Sequence, residues 1–212
     1  MNFSDVLKAR TSIRDFKDRQ IDRELLVKLV EEAQTAPSWA NSQPWKVYIA
    51  TGETMKTIRE GHVAKNEKGI AGKSDIPVMS REDWGTFAAS NMASWFEEVS
   101  SKMPMEKFGE ANAKLWNAPA MAYITIPKAS PAWSVYDAGA FAHTLTLSAA
   151  DKGIDSMVAY ENVKYPEEIR AAFDIPEDER IVIGIALGYR SDNIVNAYRS
   201  SRLPVDDILT IR

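Results

Sequence analysis

Residues 137–153, DAGAFAHTLTLSAADKG, decide how this chain is read. From Ala138 to Ala150 the positions are small or apolar nearly all round, and Asp137 and Gly153 read as the helix cap and its stop. A helix lying on a surface carries one apolar stripe, whereas one that is apolar on every side is buried on every side. The pattern therefore predicts a central helix, packed closely by other elements.

Working outward, AMAYITI (120–126) and RIVIGIALGY (180–189) are apolar almost throughout, as strands covered on both faces are. WKVYIA (45–50) and IDSMVAY (154–160) add shorter strands. Outer helices carry the amphipathic spacing. After the cap Asp22, apolar residues fall at Leu25, Leu26, Leu29, Val30 and Ala33, with Ile21 placed to staple onto Leu26. ETMKTIRE (53–60) begins another helix after Gly52, and YPEEIRAAFD (165–174) reads as a short one. The stretch 62–115 is the least regular, although Phe87, Met92, Trp95, Phe96 and Val99 recur at helical spacing inside it. Buried strands, a buried helix and amphipathic outer helices predict one layered α+β domain over residues 1–212.

Composition removes several kinds of chemistry. Lys and Arg number 26 against 30 Asp and Glu, a net charge of -4, so the chain lacks the basic field of a nucleic-acid or anionic-membrane binder. It has no cysteine, which excludes disulfides, thiol nucleophiles, thiolate zinc sites and cysteine-ligated iron–sulfur clusters. No apolar run approaches the roughly 20 residues that span a bilayer, and the start lacks the apolar core of a signal peptide. A soluble cytoplasmic protein is expected. His62 and His143 are the only histidines, and neither has a partner at metal-ligand spacing, so no metal site is expected; His143 reads as a core or interface residue. There is no G-x-S-x-G elbow, no Walker A sequence and no G-x-G-x-x-G. Gly184 and Gly188 sit inside a strand pattern and read as positions of close packing.

What remains suits a protein whose chemistry belongs to a bound organic cofactor, for which the chain supplies grips and a dry pocket. In RTSIRDF (10–16) Arg10, Ser12 and Arg14 alternate, so an extended segment would aim two guanidiniums and a hydroxyl to one side. YRSSRLP (198–204) offers Arg199, Ser200, Ser201 and Arg202. Each set alone reads equally well as ordinary surface arginines beside serines. APSWANSQPW (36–45), between a helix and a strand, carries two tryptophans, two prolines, Asn41 and Gln43. It is either a functional loop or a helix stop whose Trp39 and Trp45 plug the core.

These stretches, with NAPAMAYITI and YDAGAFAHTLTLSAADKGIDS between them, occur in the order and at roughly the spacing seen in the nitroreductase family, which the chain resembles over nearly its whole length. The segment 62–115 is the part that varies in that family. The resemblance implies a three-layer α+β sandwich with a central sheet flanked by helices, forming an intertwined homodimer with two FMN sites at the interface. It implies FMN as a tight cofactor and NAD(P)H as co-substrate. By position, Arg10, Ser12 and Arg14 would hold the FMN phosphate and the ring's polar edge, joined at the phosphate by Ser200 and Arg202. Pro37, Ser38, Asn41 and Gln43 would line the flavin from the partner subunit. Met157, Val158, Ala159, Tyr160 and Glu161 would pass the reactive N5, although Val158 and Tyr160 depart from the Gly, Pro or Thr of many relatives.

The implied activity is hydride transfer from NAD(P)H through flavin N5 to a small, aromatic acceptor such as a nitroaromatic or quinone, with no catalytic side chain required. Trp39, Trp84, Phe87, Trp95 and Phe96 are candidates to stack on that acceptor, or simply to pack a helix. Two rival expectations stand beside it: a flavin-binding or sensory protein with little turnover, and a reductive dehalogenase or flavin-fragmenting enzyme of the same fold.

Overall fold

In the computed structural model, which describes residues 1–212, four strands form one antiparallel sheet: β1 (Lys46–Thr51), β2 (Ala120–Pro127), β3 (Asp155–Ala159) and β4 (Glu179–Gly188), in the spatial order β1-β2-β4-β3. Side chains of a strand alternate between faces, and β2 does so with apolar residues on both. Ala122, Ile124 and Ile126 join one core cluster, while Met121 and Tyr123 join another.

The first cluster lies under α2 (Arg23–Ala33) and α6 (Ala132–Asp151), which contribute Leu26, Leu29, Phe141 and Leu145. The second lies under α3 (Gly52–Glu67), α5 (Met105–Ala113) and α7 (Pro166–Phe173), with Met55, Ile58, Ala111 and Ile169. The clusters hold 18 and 17 buried residues, so the sheet is sandwiched equally from both sides as the long apolar strands require. The two remaining helices, α1 (Phe3–Ala9) and α4 (Thr86–Lys102), lie outside these layers.

Local signals set the element ends. The Asp22 carboxylate caps α2 by accepting from the Glu24 N–H at 2.9 Å, and Ile21 and Leu26 are buried together as the staple requires. The glycines of β4 are positions of close approach. A Cβ at Gly184 would fall 2.7 Å from the Asn162 side chain, and one at Gly188 would fall 2.7 Å from Pro119 and 2.8 Å from Phe16. Trp45 does plug the core, its ring 5.0 Å from that of Phe141.

The central helix differs from expectation in two ways. It begins at Ala132 behind Pro131, so Asp137 is a buried interior residue instead of its cap. It is also buried on one side only: Trp133, Tyr136, Gly139 and His143 form a face open to the outside of this chain. His143 is therefore not a core residue.

No helix of the chain is long and apolar enough to cross a membrane.

Candidate cofactor site

Segment 10–16 leaves α1 in an extended conformation and runs beside β3. Ser12 bridges Ser156, and the Ile13 N–H donates to the Ser156 carbonyl at 3.0 Å. A second segment, the arm 195–202, crosses it and is stapled there by one amide side chain. Asn196 Oδ1 accepts from the backbone N–H groups of Arg14 (2.7 Å) and Asp15 (3.1 Å), and its Nδ2 donates to the Asp15 and Ser191 carbonyls at 2.7 and 3.1 Å. Between segment and arm lies a cleft of about 300 Å³ lined by Arg10, Ser12, Arg14, Arg199, Ser200 and Arg202.

No carboxylate lines this cleft. Two arginines elsewhere in the protein do pair with carboxylates, Arg170 with Asp75 and Arg190 with Asp155, both at 2.5 Å. Burial, together with the charges of Arg202 and Arg199, pushes the Arg10 guanidinium below its ordinary value. Clustered cations that repel one another and have no built-in counter-charge form a site for an anion, and forked guanidinium donors match a phosphate. The donor set therefore fits the phosphate end of FMN.

Arg14 lines the same cleft as Arg10 and Ser12 but sits deeper than they do. It is only 4% exposed, and its Nη1 donates to the carbonyls of Ser12 (3.1 Å) and Tyr198 (3.4 Å). Its guanidinium lies 5.5 Å from the Tyr198 ring centre and 6.0 Å from that of Phe108. Arg14 thus braces the arm from beneath. Ser200 lines the cleft, and its Oγ accepts from the Trp95 indole N–H at 3.2 Å. With an acceptor position so used, its O–H remains free to donate into the cleft.

The loop 36–43 is built on strained backbone. Ala40, Asn41 and Gln43 have φ of 49°, 57° and 42°, in the left-handed region that disfavours a Cβ. Two contacts hold it: Ser38 Oγ accepts from the Gln43 N–H at 2.9 Å, and the Trp39 N–H donates to the buried Asp137 carboxylate at 3.2 Å. Pro37, Asn41 and Gln43 are exposed, Ser38 is half-buried, and none of them lines the arginine cleft of the same chain.

Beyond β3 the chain turns through a 3₁₀ segment, Tyr160–Val163, which is fixed from behind. Asn162, to which no sequence motif pointed, donates to the carbonyls of Met157 (3.1 Å) and Gly184 (2.9 Å) and accepts from Trp116 Nε1 at 2.9 Å. Desolvation would push the Glu161 carboxyl up, yet hydrogen bonds with His62 (3.0 Å) and Asn66 (3.1 Å) and the charge of Lys164 hold it down to about 2. Asn66 Oδ1 is occupied by Lys164 and Tyr165 donors, which orients its Nδ2 toward Glu161. Of the stretch expected to pass the flavin, Met157 has its side chain in the second core, whereas Val158 is 45% exposed and Tyr160 is at the surface.

The aromatic candidates divide. Trp39, Trp84, Phe87 and Phe96 are exposed, while Trp95 is turned onto the arm. Val99 and Met103 of α4 pack with Val195 and Tyr198 of the arm in a small third core, bordered by Trp95 and Phe108, so the variable segment is a packing helix on one side and open on the other.

A sequence model of the nitroreductase family matches residues 7–189, from the first helix to the end of β4. The chain belongs to the nitroreductase family. Two relatives, the 4-nitrobenzoate reductases of Pseudomonas putida and Nocardioides sp., are each 25% identical to it. They cover 95% and 98% of this chain, which spans 91% and 89% of theirs. Among solved structures, the FMN-dependent nitroreductase NfnB of Mycobacterium smegmatis in complex with NADPH superposes with a TM-score of 0.90 over 99% of this chain and 97% of that one, at 22% identity. At that identity the likeness speaks for the fold: a helix–sheet–helix sandwich in both.

Proposed function

We propose that this nitroreductase-family chain works as an FMN-dependent, NAD(P)H-driven reductase of a small nitroaromatic. The observation that carries the reading is the carboxylate-free cluster of Arg10, Arg199 and Arg202 over Ser12 and Ser200. Bound there, FMN would supply the two-electron chemistry, taking hydride from NAD(P)H at N5 and returning it to the acceptor.

The chain's own residues do the rest. Arg10 and Arg202 neutralise the phosphate, and the Ser12 and Ser200 hydroxyls donate to it. Arg14 acts through Tyr198 as a positioning residue. The Asn162 and Glu161 contacts fix the turn after β3, so that backbone and not a mobile side chain faces the reacting atom. Supporting the acceptor class are the exposed aromatics Trp39, Trp84, Phe87 and Phe96, suited to stacking on a flat ring, and the two relatives that reduce 4-nitrobenzoate.

Homodimer formation belongs to the same proposal. Trp133 and Tyr136 on the open face of α6 and the tail residues Val205, Ile208, Leu209 and Ile211 are each more than half exposed, and a second chain covering them would support that assembly. Pro37, Ser38, Asn41 and Gln43 would then wall the flavin of the second chain.

The visible spectrum of the protein with FMN, retained on desalting and then bleached by anaerobic NADPH or NADH, tests the reading. Re-oxidation by 4-nitrobenzoate is the expected close of the cycle. Flavin that stays bound but is not bleached would make this a flavin-binding protein, and no retention of flavin would overturn the site.

A further inference from the structure

The arm that carries Arg199, Ser200 and Arg202 makes little use of the sheet. Beyond Asn196 it is held by Arg14 beneath Tyr198 and by α4. Glu98 Oε2 accepts from Tyr198 Oη at 3.1 Å and from Ser201 Oγ at 2.9 Å, while its Oε1 takes Lys102 at 2.7 Å. One turn earlier, the Trp95 indole N–H donates to Ser200 Oγ. Residues three apart share a face of a helix, so Trp95 and Glu98 reach the arm together at two successive serines. Hydrogen bonds from Lys102 and Ser201 hold the Glu98 carboxyl down to about 2, and it therefore stays an acceptor across the working pH range. Neither residue lines the cleft.

The contacts give the two serines opposite tasks. Ser201 spends its hydroxyl proton on Glu98 and is turned away from an anion. Ser200 receives the indole proton and keeps its own to give. Arg199 and Arg202 flank this pair, so their approach to the cleft depends on the arm lying against α4. Phe87 and Phe96 of the same helix are exposed to solvent.

We infer that Trp95 and Glu98 are positioning residues for the phosphate end of the cofactor: helix α4, through them, holds the arm in its anion-binding conformation and sets how tightly the cofactor is retained. This rests on the reading of the arginine cleft as the FMN phosphate site. The variable segment of the chain is then tied to cofactor retention as well as to the acceptor, since a ligand that shifts α4 shifts the arm. A site competent only in a fraction of molecules binds more weakly by that fraction.

The test compares FMN with riboflavin, which has the same ring and no phosphate, by fluorescence titration of flavin-free protein. Glu98→Gln keeps the size of its side chain, and Trp95→Phe keeps an aromatic ring while removing the indole N–H. Each is expected to weaken FMN about tenfold and leave riboflavin unchanged, because only the phosphate contact needs the arm. Ser201→Ala, a surface change that cannot threaten the fold, is expected to act in the same direction severalfold. Equal weakening of both flavins, or no weakening of either, would overturn the inference. Arg202→Ala serves as the control. If wild type binds FMN no better than riboflavin and Arg202→Ala changes nothing, the phosphate reading itself falls; if Arg202→Ala weakens FMN while the α4 variants do not, only the role of α4 falls.

Discussion

The arginine cleft and the loop 36–43 are both candidate walls of one site, yet they are made by opposite means. The cleft collects charge over a scaffold of ordered hydrogen bonds: Asn196 staples the arm, Arg14 braces it, and its backbone is unstrained. The loop carries no charge, is exposed, and holds three non-glycine residues in the left-handed region, kept there by Asp137 and Ser38. A grip on a doubly charged group can be assembled from flexible side chains, because charge-assisted bonds are strong and tolerant. A wall for the polar edge of a ring needs backbone and amides at fixed positions, and fixing them costs local strain. On the proposed reading, the cleft would discriminate by charge and the loop by shape.

Removing charge should separate them most clearly. Arg10→Ala with Arg202→Ala deletes two guanidiniums with no carboxylate in their cleft, Arg202 donating only to the carbonyls of Ser200 and Ser201. At about 1.5–3 kcal/mol for each hydrogen bond to a charged group, FMN affinity should fall at least a hundredfold while riboflavin affinity hardly moves. Isothermal titration with both flavins measures this, and a parallel loss of riboflavin would mean that the cleft shapes the ring site too.

The converse experiment acts on the loop. Asp137→Ala removes the buried acceptor of the part-buried Trp39 N–H, and a hydrogen bond to a charged group is worth about 1.5–3 kcal/mol. Denaturant unfolding should show a loss of that order, and FMN and riboflavin should weaken by one common factor. A loss confined to FMN would abolish the distinction between the two walls.

The turn after β3 lies between these cases, since it uses a charge, Glu161, that is fully compensated. The carboxyl is held below its ordinary value, so its contribution to stability is present above about pH 4.5 and is lost as pH falls toward about 2. Replacing it by Gln in Glu161→Gln should flatten the fall in stability over that acid range without altering the slope above pH 5. Urea unfolding at stepped pH reads the difference. An unchanged acid slope would assign the acid sensitivity to other carboxylates.

Much of this was legible in the chain. The runs at 120–126 and 180–189, with the periodicity after Asp22, place the sheet and its layers, because burial on a face repeats with a period visible locally. Arg10, Ser12, Ser200 and Arg202 were found as residue types suited to phosphate, and they do share one cleft. Arg14 lines that cleft too, but its burial against Tyr198 is not readable from alternation, which gives the side of a strand and not what covers that side. Asp137, Trp95, Glu98 and Asn162 were missed as holders for one reason: their partners lie 98, 105, 103 and 46 residues away, and no spacing rule spans that distance. The burial of α6 was overestimated because a helix apolar all round is equally consistent with a second chain covering it.

The smallest effect concerns the strain itself. Ala40 has φ 49° with no side-chain hydrogen bond to offset it, whereas Asn41 is of a type that tolerates this region. In Ala40→Gly the native conformation loses its steric penalty while the unfolded chain gains freedom. These effects oppose one another, and the penalty of a non-glycine residue in this region is the larger. The variant should therefore be more stable by about 0.5–1 kcal/mol, a rise of a few degrees or less in Tm. If the loop is a preformed wall, both flavins should bind as before, because Trp39 stays tied to Asp137. If instead both weaken as stability rises, the strained geometry is what shapes the wall, and the loop exchanges stability for fit in a way that the cleft does not.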